Sequence, residues 1–412
     1  YFLGKGDPIY PTVFLILTTV AAVWLIYHLA AKIQNRTAGI FAVILASFSY
    51  YIVMASRWLS NPTPMILLSM VLVWAMLKVT EGKKWGWPII SLVAGLSLFS
   101  FGSAGEFYYI LAIAIFLVWQ WKKRPDLKNL AISVFLFTLT FAPLVLFDLR
   151  HEGILRNNML KTFVEEKSFT FPTSYLLENR TRFYYDVFTN KIFHGRGKME
   201  IATFLVILST FIYHFSALIK NKGVRILLIL LLSPMVGLYF YQGNYTVLYD
   251  YYMTGYYLIF LLFVAILLGK IWKFLPGKIF IIYFFYLFFV NNYEPLNLKL
   301  SDSLTGPQSI GYLNQKQALN WIYSDAGTSS FNVDVYVPPV IPYAYDYLFK
   351  YGETGYARKP VETQVPLLYT LYEIDPSHPE RLEAWLARQK GIGRVLKEER
   401  FGGITVQKRT RL

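Results

Sequence analysis

Cysteine is absent from this sequence of 412 residues, and histidine occurs only five times. Disulfides, thiolate metal sites and cysteine nucleophiles are therefore excluded together. Charge is scarce too. Asp, Glu, Lys and Arg make up 16% of the chain, against about 25% in an ordinary soluble domain. The sequence also lacks a Gly-rich phosphate loop, a HExxH pair, a GxSxG elbow and any metal-spaced histidine cluster. No internal repeat relates its two halves.

What fills the space is hydrocarbon: 55% of residues are hydrophobic and 18% aromatic. Apolar blocks recur from Ile9 to Phe289, most of them long enough to cross a bilayer as helix. Ten spans are expected, over 9–31, 37–56, 64–80, 87–104, 105–121, 129–148, 200–219, 224–241, 253–270 and 278–291. The fold class is thus an all-α polytopic membrane bundle of about ten transmembrane helices, followed by a small extracytoplasmic α/β domain. The domains read as 1–291, with a long outer loop at 149–199, and 292–412.

Orientation follows from the connectors. Those at 32–36, 78–86, 122–128, 220–225 and 270–278 hold fifteen Lys and Arg against two acids, Glu81 and Asp126. The short connectors of the alternate set hold only Lys5 and Arg57. By the positive-inside rule the basic set is cytoplasmic. Most of the net charge of +15 is therefore a topology signal, and a nucleic-acid partner is not needed to explain it. The 149–199 loop departs from the pattern with nine basic residues against five acids. Long connectors cross with less regard to charge, but the excess of cations on the outer side calls for a reason.

Beyond residue 292, fourteen basic and thirteen acidic residues are mixed and no apolar block is long enough to span. Residues 315–326 and 378–389 have helical spacing, 331–339 alternate as a strand, and 393–409 read as a hairpin turning at Gly402-Gly403. The three N-x-T triplets at Asn35, Asn179 and Asn244 are too common by chance to signify glycosylation.

Few ionisable groups lie near the outer face: Arg57, Glu106, Asp148, Arg150, His151 and Asp250, each at an expected outer helix end. Taken singly, each is explained by snorkelling to the interface. Together they suit a polar pocket for a molecule with an anionic head and a tail in lipid. In RWLSNPTP (57–64), Arg57 offers a planar fork to phosphate and Asn61 can donate or accept. In FDLRHE (147–152), an Asp148–Arg150 pair could orient a guanidinium, or simply close the helix with a salt bridge. His151 could move protons near neutral pH. Glu106, in FGSAGEFYY, suits a general base or a metal ligand, and equally a solvated helix start. The runs RFYYD (182–186) and YDYYMTGYY (249–257), the latter with Tyr252, suit an interfacial aromatic belt or sugar stacking.

SRWLSNPTP in a short outer loop, the PLVLFDLRH helix exit, the long amphipathic outer loop and the terminal α/β domain together resemble a known family. It is that of the GT-C type polyprenyl-phosphate-sugar-dependent membrane glycosyltransferases, with bacterial protein-mannosyltransferases and aminoarabinose transferases most similar. The resemblance covers most of 1–291. It implies a hexosyl or pentosyl transferase in the cytoplasmic membrane. A sugar would move from a polyprenyl-phosphate donor to an acceptor at the outer face, with inversion, and the C-terminal domain would be extracytoplasmic.

The candidate site residues are then Glu106 and Asp148 as the carboxylates present in the chain, read from the residues themselves, with Arg57, Asn61, Arg150, His151, Arg180, Arg182 and Tyr252 binding substrate. A divalent metal is left open as a cofactor, with no ligand set evident. Such enzymes carry their main catalytic acid in a first outer loop whose tail YFLGKGDPIYP resembles; Asp7 there does not match the motif. The chain begins with Tyr1 and not Met, so that acid is expected upstream of residue 1. Asn61 also departs from the family, where Asp is common. The alternatives are a polymerase or ligase of lipid-linked saccharides, and a lipid flippase or transporter.

Overall fold

Every apolar block forms helix in the computed structural model, which describes residues 4, 6–161, 173–194, 197–241, 246–301, 306–338, 341–352 and 360–411. The chain divides into two units, Pro8–Pro295 and Tyr1–Asp7 with Leu296–Leu412.

In the first unit, α1 (Ile9–Ile33) is followed by α2 (Arg36–Phe48) and α3 (Tyr50–Arg57). The latter two share one apolar block but meet at 62°. Ser49 explains the break: its backbone is extended, and it ends α2 while its side chain caps α3 at the Ile52 N–H. The Tyr50 N–H freed by the break donates to Oδ1 of buried Asn292 at 2.8 Å. In lipid such a group has to be satisfied within the protein.

Three shorter apolar helices follow: α4 (Met65–Thr80), α5 (Gly86–Phe99) and α6 (Tyr109–Trp119), the last entered through a 3-10 turn at Glu106–Tyr108. Then come α7 (Leu127–Arg150), α8 (Ile154–Leu160), α9 (Ser174–Thr189), α10 (Lys198–Leu218), α11 (Lys222–Phe240), α12 (Tyr257–Ile271) and α13 (Leu275–Ser301). Six helical segments are long and apolar enough to cross a membrane: α1, α7, α10, α11, α13 and α12 with the 3-10 turn Asp250–Tyr256 before it. The bent pair makes a seventh. With the three shorter helices, each of the ten expected spans has a helix. The last is longer than hydropathy suggested, because the helix continues through polar NNYEPLNLKLS after the apolar run ends.

α12 is the centre of the bundle, with 83% of its span buried, whereas α7 buries only Ser133 and Thr140 and turns Phe135 and Val134 outward. The basic connectors bond to one another. Asn35 Nδ2 donates to the Gly269 carbonyl and Asn221 Nδ2 to that of Ile33. Lys32 pairs with Glu81, and Lys123 donates to the Thr80 carbonyl. They therefore share one end of the bundle.

In the second unit, α14 (Tyr312–Ala326), β1 (Asn332–Tyr336), α15 (Tyr343–Gly352), β2 (Leu367–Glu373), α16 (Pro379–Ile392), β3 (Gly393–Phe401) and β4 (Ile404–Arg411) build a four-stranded sheet in the order β1-β2-β4-β3. β1 and β2 are parallel and the remaining pairs antiparallel. The hairpin turns at Gly402, whose φ of +63° suits glycine. One face of the sheet is apolar: Tyr369, Leu371, Ile404 and Val406 join Ala318, Ile322 and Phe331 in the unit's core. The edge strand β3 carries Arg394, Lys397, Glu398, Glu399 and Arg400, charges that discourage pairing with another chain. β2 and α15 were not anticipated from the sequence.

Candidate functional site

The connectors at the end opposite the basic one line an open cavity of about 560 Å³ in the first unit. Three segments converge on it. α3 and the residue after it supply Tyr51, Arg57 and Trp58; the turn after α9 supplies Lys191; the turn before α12 and the first residue of α12 supply Tyr249, Asp250, Tyr251 and Tyr257.

Lys191 is fully buried. Its ammonium lies 2.7 and 2.9 Å from the two carboxylate oxygens of Asp250. It also sits over the rings of Tyr51 at 4.6 Å and Tyr257 at 4.2 Å, where π-faces favour a cation. The Tyr257 hydroxyl donates to Asp250. Asp250 keeps 46% of its side chain exposed, so the pair is sealed on the lysine side and open on the carboxylate side. Arg57 brings a second cation. Trp58 and Tyr251 stand edge to face at 5.7 Å, and Tyr249 stacks on Tyr251 at 5.6 Å. The result is two cations, one carboxylate and an aromatic wall around one space.

Glu106 lies beneath that wall and does not line the cavity. It is wholly buried. Its Oε1 accepts the Gly255 N–H at 2.5 Å, and its Oε2 accepts the Ser103 N–H and lies 2.9 Å from the Ser103 hydroxyl. The Tyr109 hydroxyl donates to the Gly255 carbonyl and that of Tyr256 to the Gly105 carbonyl. Glu106 thus pins the turn that carries Asp250 to the linker between α5 and α6. Two glycines make the approach possible. A Cβ on Gly105 would meet the Tyr252 carbonyl oxygen at 2.1 Å, and one on Gly255 the Tyr109 hydroxyl at 2.6 Å. Tyr252 contributes that carbonyl, which accepts the Gly105 N–H, and its ring packs on Tyr249 and Tyr251.

The other candidates are placed elsewhere. Asp148 Oδ1 accepts the N–H groups of Leu155 and Arg156 at 2.7 and 3.2 Å, holding the first turn of α8. His151 Nδ1 is 2.7 Å from the Phe147 carbonyl and its ring stacks on Phe147 at 4.0 Å. Arg150 is exposed. Glu152 and Gly153 take positive φ, so FDLRHEG reverses the chain between α7 and α8. Arg180 is buried and donates to three backbone carbonyls, those of Leu238, Thr246 and Tyr241. Arg182 lines a separate depression with Glu178 and Asp186. Asn61 lines another apolar-walled cavity with Phe14, Pro64 and Phe101.

Of the substrate-binding residues named from the sequence, Arg57 lines the 560 Å³ cavity, as does Asp250 of the six outer ionisable groups. Lys191 was one of nine basic residues in the outer loop, of which Lys167 and Arg196 lie outside the described residues, as does Asn244. Its only cue was the apolar setting NKIF. Asp250 stood among the outer ionisable groups without an assigned role. Among the described residues, no three His, Asp or Glu side chains form a cluster that could hold a metal ion.

Comparison with known proteins agrees with this architecture. Residues 9–147 match the family model of dolichyl-phosphate-mannose-protein mannosyltransferases. The chain is similar to the crystal structure of ArnT from Cupriavidus metallidurans bound to undecaprenyl phosphate. The TM-score is 0.54 at 9% identity, over 97% of this chain and 83% of that one. The apo form of the same protein gives 0.56 at 9% identity, over 96% and 83%. No curated protein sequence matches. At such low identity the likeness speaks for the fold, and in fold this chain is similar to the GT-C type membrane glycosyltransferases that use polyprenyl-phosphate donors.

Proposed function

We propose that this protein moves a sugar from a polyprenyl-phosphate donor to an acceptor at the outer face of the cytoplasmic membrane, with inversion. The observation that carries the proposal is the cavity where Arg57 and Lys191 meet beside Trp58, Tyr249 and Tyr251. A lipid phosphate needs cations, and a sugar ring suits aromatic faces. The similar protein from Cupriavidus metallidurans was crystallised with undecaprenyl phosphate, which is the same chemical class of ligand. The basic connectors gather at the other end of the bundle, which fits a cytoplasmic end and an outward-facing cavity. The C-terminal unit, by the same parity, belongs outside the cytoplasm.

In the proposed reaction a base takes the proton of the acceptor hydroxyl. The acceptor oxygen attacks the anomeric carbon from the face opposite the phosphate, and the carbon–oxygen bond to phosphate breaks. The polyprenyl phosphate leaves with the electron pair. Arg57 stabilises that developing charge directly, a role in which one preorganised donor contributes about 10²–10³-fold in rate, while buried Lys191 offsets the charge of Asp250 beside it. Asp250 sits against Lys191, on the leaving-group side, so we assign it to holding the ammonium in place. The acceptor's base belongs on the opposite face. Glu106 is assigned to positioning, through the turn that carries Asp250. Asp148, Arg150 and His151 are assigned to the chain reversal after α7.

The test is transfer from synthetic polyprenyl-phosphate sugars carrying a radiolabelled hexose or pentose, in membranes containing the full chain. The expected result is release of polyprenyl phosphate with label in an acceptor of inverted anomeric configuration, and its loss in Arg57→Ala. Transfer that persists in folded Arg57→Ala, or transfer only of whole pyrophosphate-linked glycans, would overturn the proposal.

A further inference from the structure

A second cavity, of about 680 Å³, lies within the C-terminal unit between α16 and the face of the sheet away from the apolar core. Alternation places Thr370 and Tyr372 of β2 on that face, and Gln407 and Arg409 of β4 beside them, with Thr370 paired to Gln407 across the strands. A sheet face covered by a helix is ordinarily apolar, as the opposite face here is. This one buries Thr370 and Gln389 completely and leaves Arg409 only 3% exposed.

Arg409 is bound by neutral groups alone. Nη1 donates to the carbonyls of Gln389 and Gly393, both at 2.9 Å. Nε reaches Thr370 Oγ1 and Gln407 Oε1 at 3.1 Å, and Nη2 reaches Gln407 Oε1 at 2.5 Å. A guanidinium has five N–H groups, so one on Nη2 is left over from these bonds. Among the described residues no carboxylate pairs with it. Its compensating charge is Glu398, which accepts from Gln407 Nε2 at 2.5 Å and acts on the guanidinium only through space, and Arg409 lines the cavity.

The walls extend the same chemistry. Glu383, Leu386, Ala387 and Lys390 recur at three- and four-residue spacing, so one face of α16 looks into the cleft. Arg394 of β3 joins from the other side. Lys390 and Arg394 are exposed at the rim, and three cations face a single lining carboxylate, Glu383. The Tyr372 ring forms part of the wall, backed by Trp385 at 5.8 Å. The volume lies within the range of small-molecule sites.

We propose that this cleft binds an anionic saccharide. The phosphate or carboxylate group is held by Lys390, Arg394 and the spare N–H of Arg409, Glu383 accepts from ring hydroxyls, and Tyr372 meets the ring. The site is separate from the membrane cavity and stands or falls apart from the transfer reaction.

The test is calorimetric titration of the full chain in detergent, in an Arg57→Ala background so that the membrane cavity does not supply the signal. The probes are glucose 1-phosphate, glucuronate, glucose and inorganic phosphate. Both anionic sugars are expected to bind, with glucose and phosphate at least tenfold weaker. Lys390→Ala/Arg394→Ala, which changes only exposed side chains, should weaken the anionic sugars tenfold or more while the melting temperature holds. Three results would each overturn the proposal: no binding of either anionic sugar at millimolar concentration, phosphate binding as tightly as glucose 1-phosphate, or unchanged affinity in the double variant.

Discussion

Replacing Lys191 by methionine separates charge from packing at the proposed donor site. Methionine leaves an unbranched stem in the buried slot and removes the ammonium. In the native chain that ammonium holds both oxygens of Asp250 and faces two tyrosine rings. A hydrogen bond to a charged group is worth about 1.5–3 kcal/mol, and each 1.4 kcal/mol is about tenfold in affinity. Lys191→Met leaves the exposed Asp250 carboxylate uncompensated beside the phosphate, and on that scale should weaken polyprenyl phosphate binding by roughly 10- to 100-fold. Breaking a buried pair can also cost about 3–5 kcal/mol of stability when the surviving charge stays buried. Here Asp250 is 46% exposed, so water can cover the orphaned carboxylate and the loss should fall below that range. The assay is equilibrium binding of polyprenyl phosphate and of the parent polyprenol to purified full chain, with a thermal melt alongside. The expected pattern is a selective loss for the phosphate. An unchanged phosphate affinity in a folded variant would refute the assignment, as would an equal loss for polyprenol.

Gly255→Ala should destabilise the turn before α12 by about 1–3 kcal/mol, the usual cost of overpacking. The new Cβ would stand 2.6 Å from the Tyr109 hydroxyl and 2.9 Å from Glu106 Oε1; a thermal melt in detergent checks this. Arg180→Lys removes the fork that serves three carbonyls, so the melting temperature should fall while the folded fraction binds polyprenyl phosphate as the native chain does. In the C-terminal unit, burial raises the Glu373 carboxyl above its ordinary value of 4.5, against hydrogen bonds from Tyr345 and Gln315 that lower it. The folded state then holds that proton more tightly than the unfolded one, so stability falls as pH rises from about 4.5 through the raised pKa. Glu373→Gln should flatten that slope, read as amide exchange of β2 corrected for intrinsic rates.

Hydropathy was a reliable guide to the helices because a lipid-facing helix has to be apolar along its length. It misjudged the end of α13, where the helix outlasts the apolar run. It also missed β2, where LLYTLYE puts Leu368 on the face of Thr370 and Tyr372 and Glu373 on that of Tyr369 and Leu371, so that alternation is blurred. Ser49 and Asn292 are ordinary residues in sequence, and only the bond from the Tyr50 N–H to Asn292, across 242 positions, explains why α2 and α3 bend without leaving that backbone group unsatisfied.

The site was legible in part for a related reason. Arg57 follows a long apolar block and precedes a short connector, so its place at a helix end was settled locally. FDLRHE offered a cluster of charge at the exit of an apolar helix, yet Asp148 caps α8 and His151 folds back on Phe147, as sequence-adjacent groups at a helix end tend to satisfy one another. Lys191 and Asp250 are 59 residues apart, and composition gives no reason to pair them.

By itself the sequence determined the solvent of each segment. Block length and hydrophobicity set which stretches become helix in lipid, the loop charges set an orientation, and mixed charge marked 292–412 as a different kind of domain. Tertiary structure alone decided which polar groups share a space. A buried ammonium at position 191 is tolerable only if a carboxylate is brought to it. That depends on Glu106 pinning Gly255, on glycines thin enough to allow the approach, and on the α2–α3 break. Each is a contact between distant segments, and no local pattern encodes it.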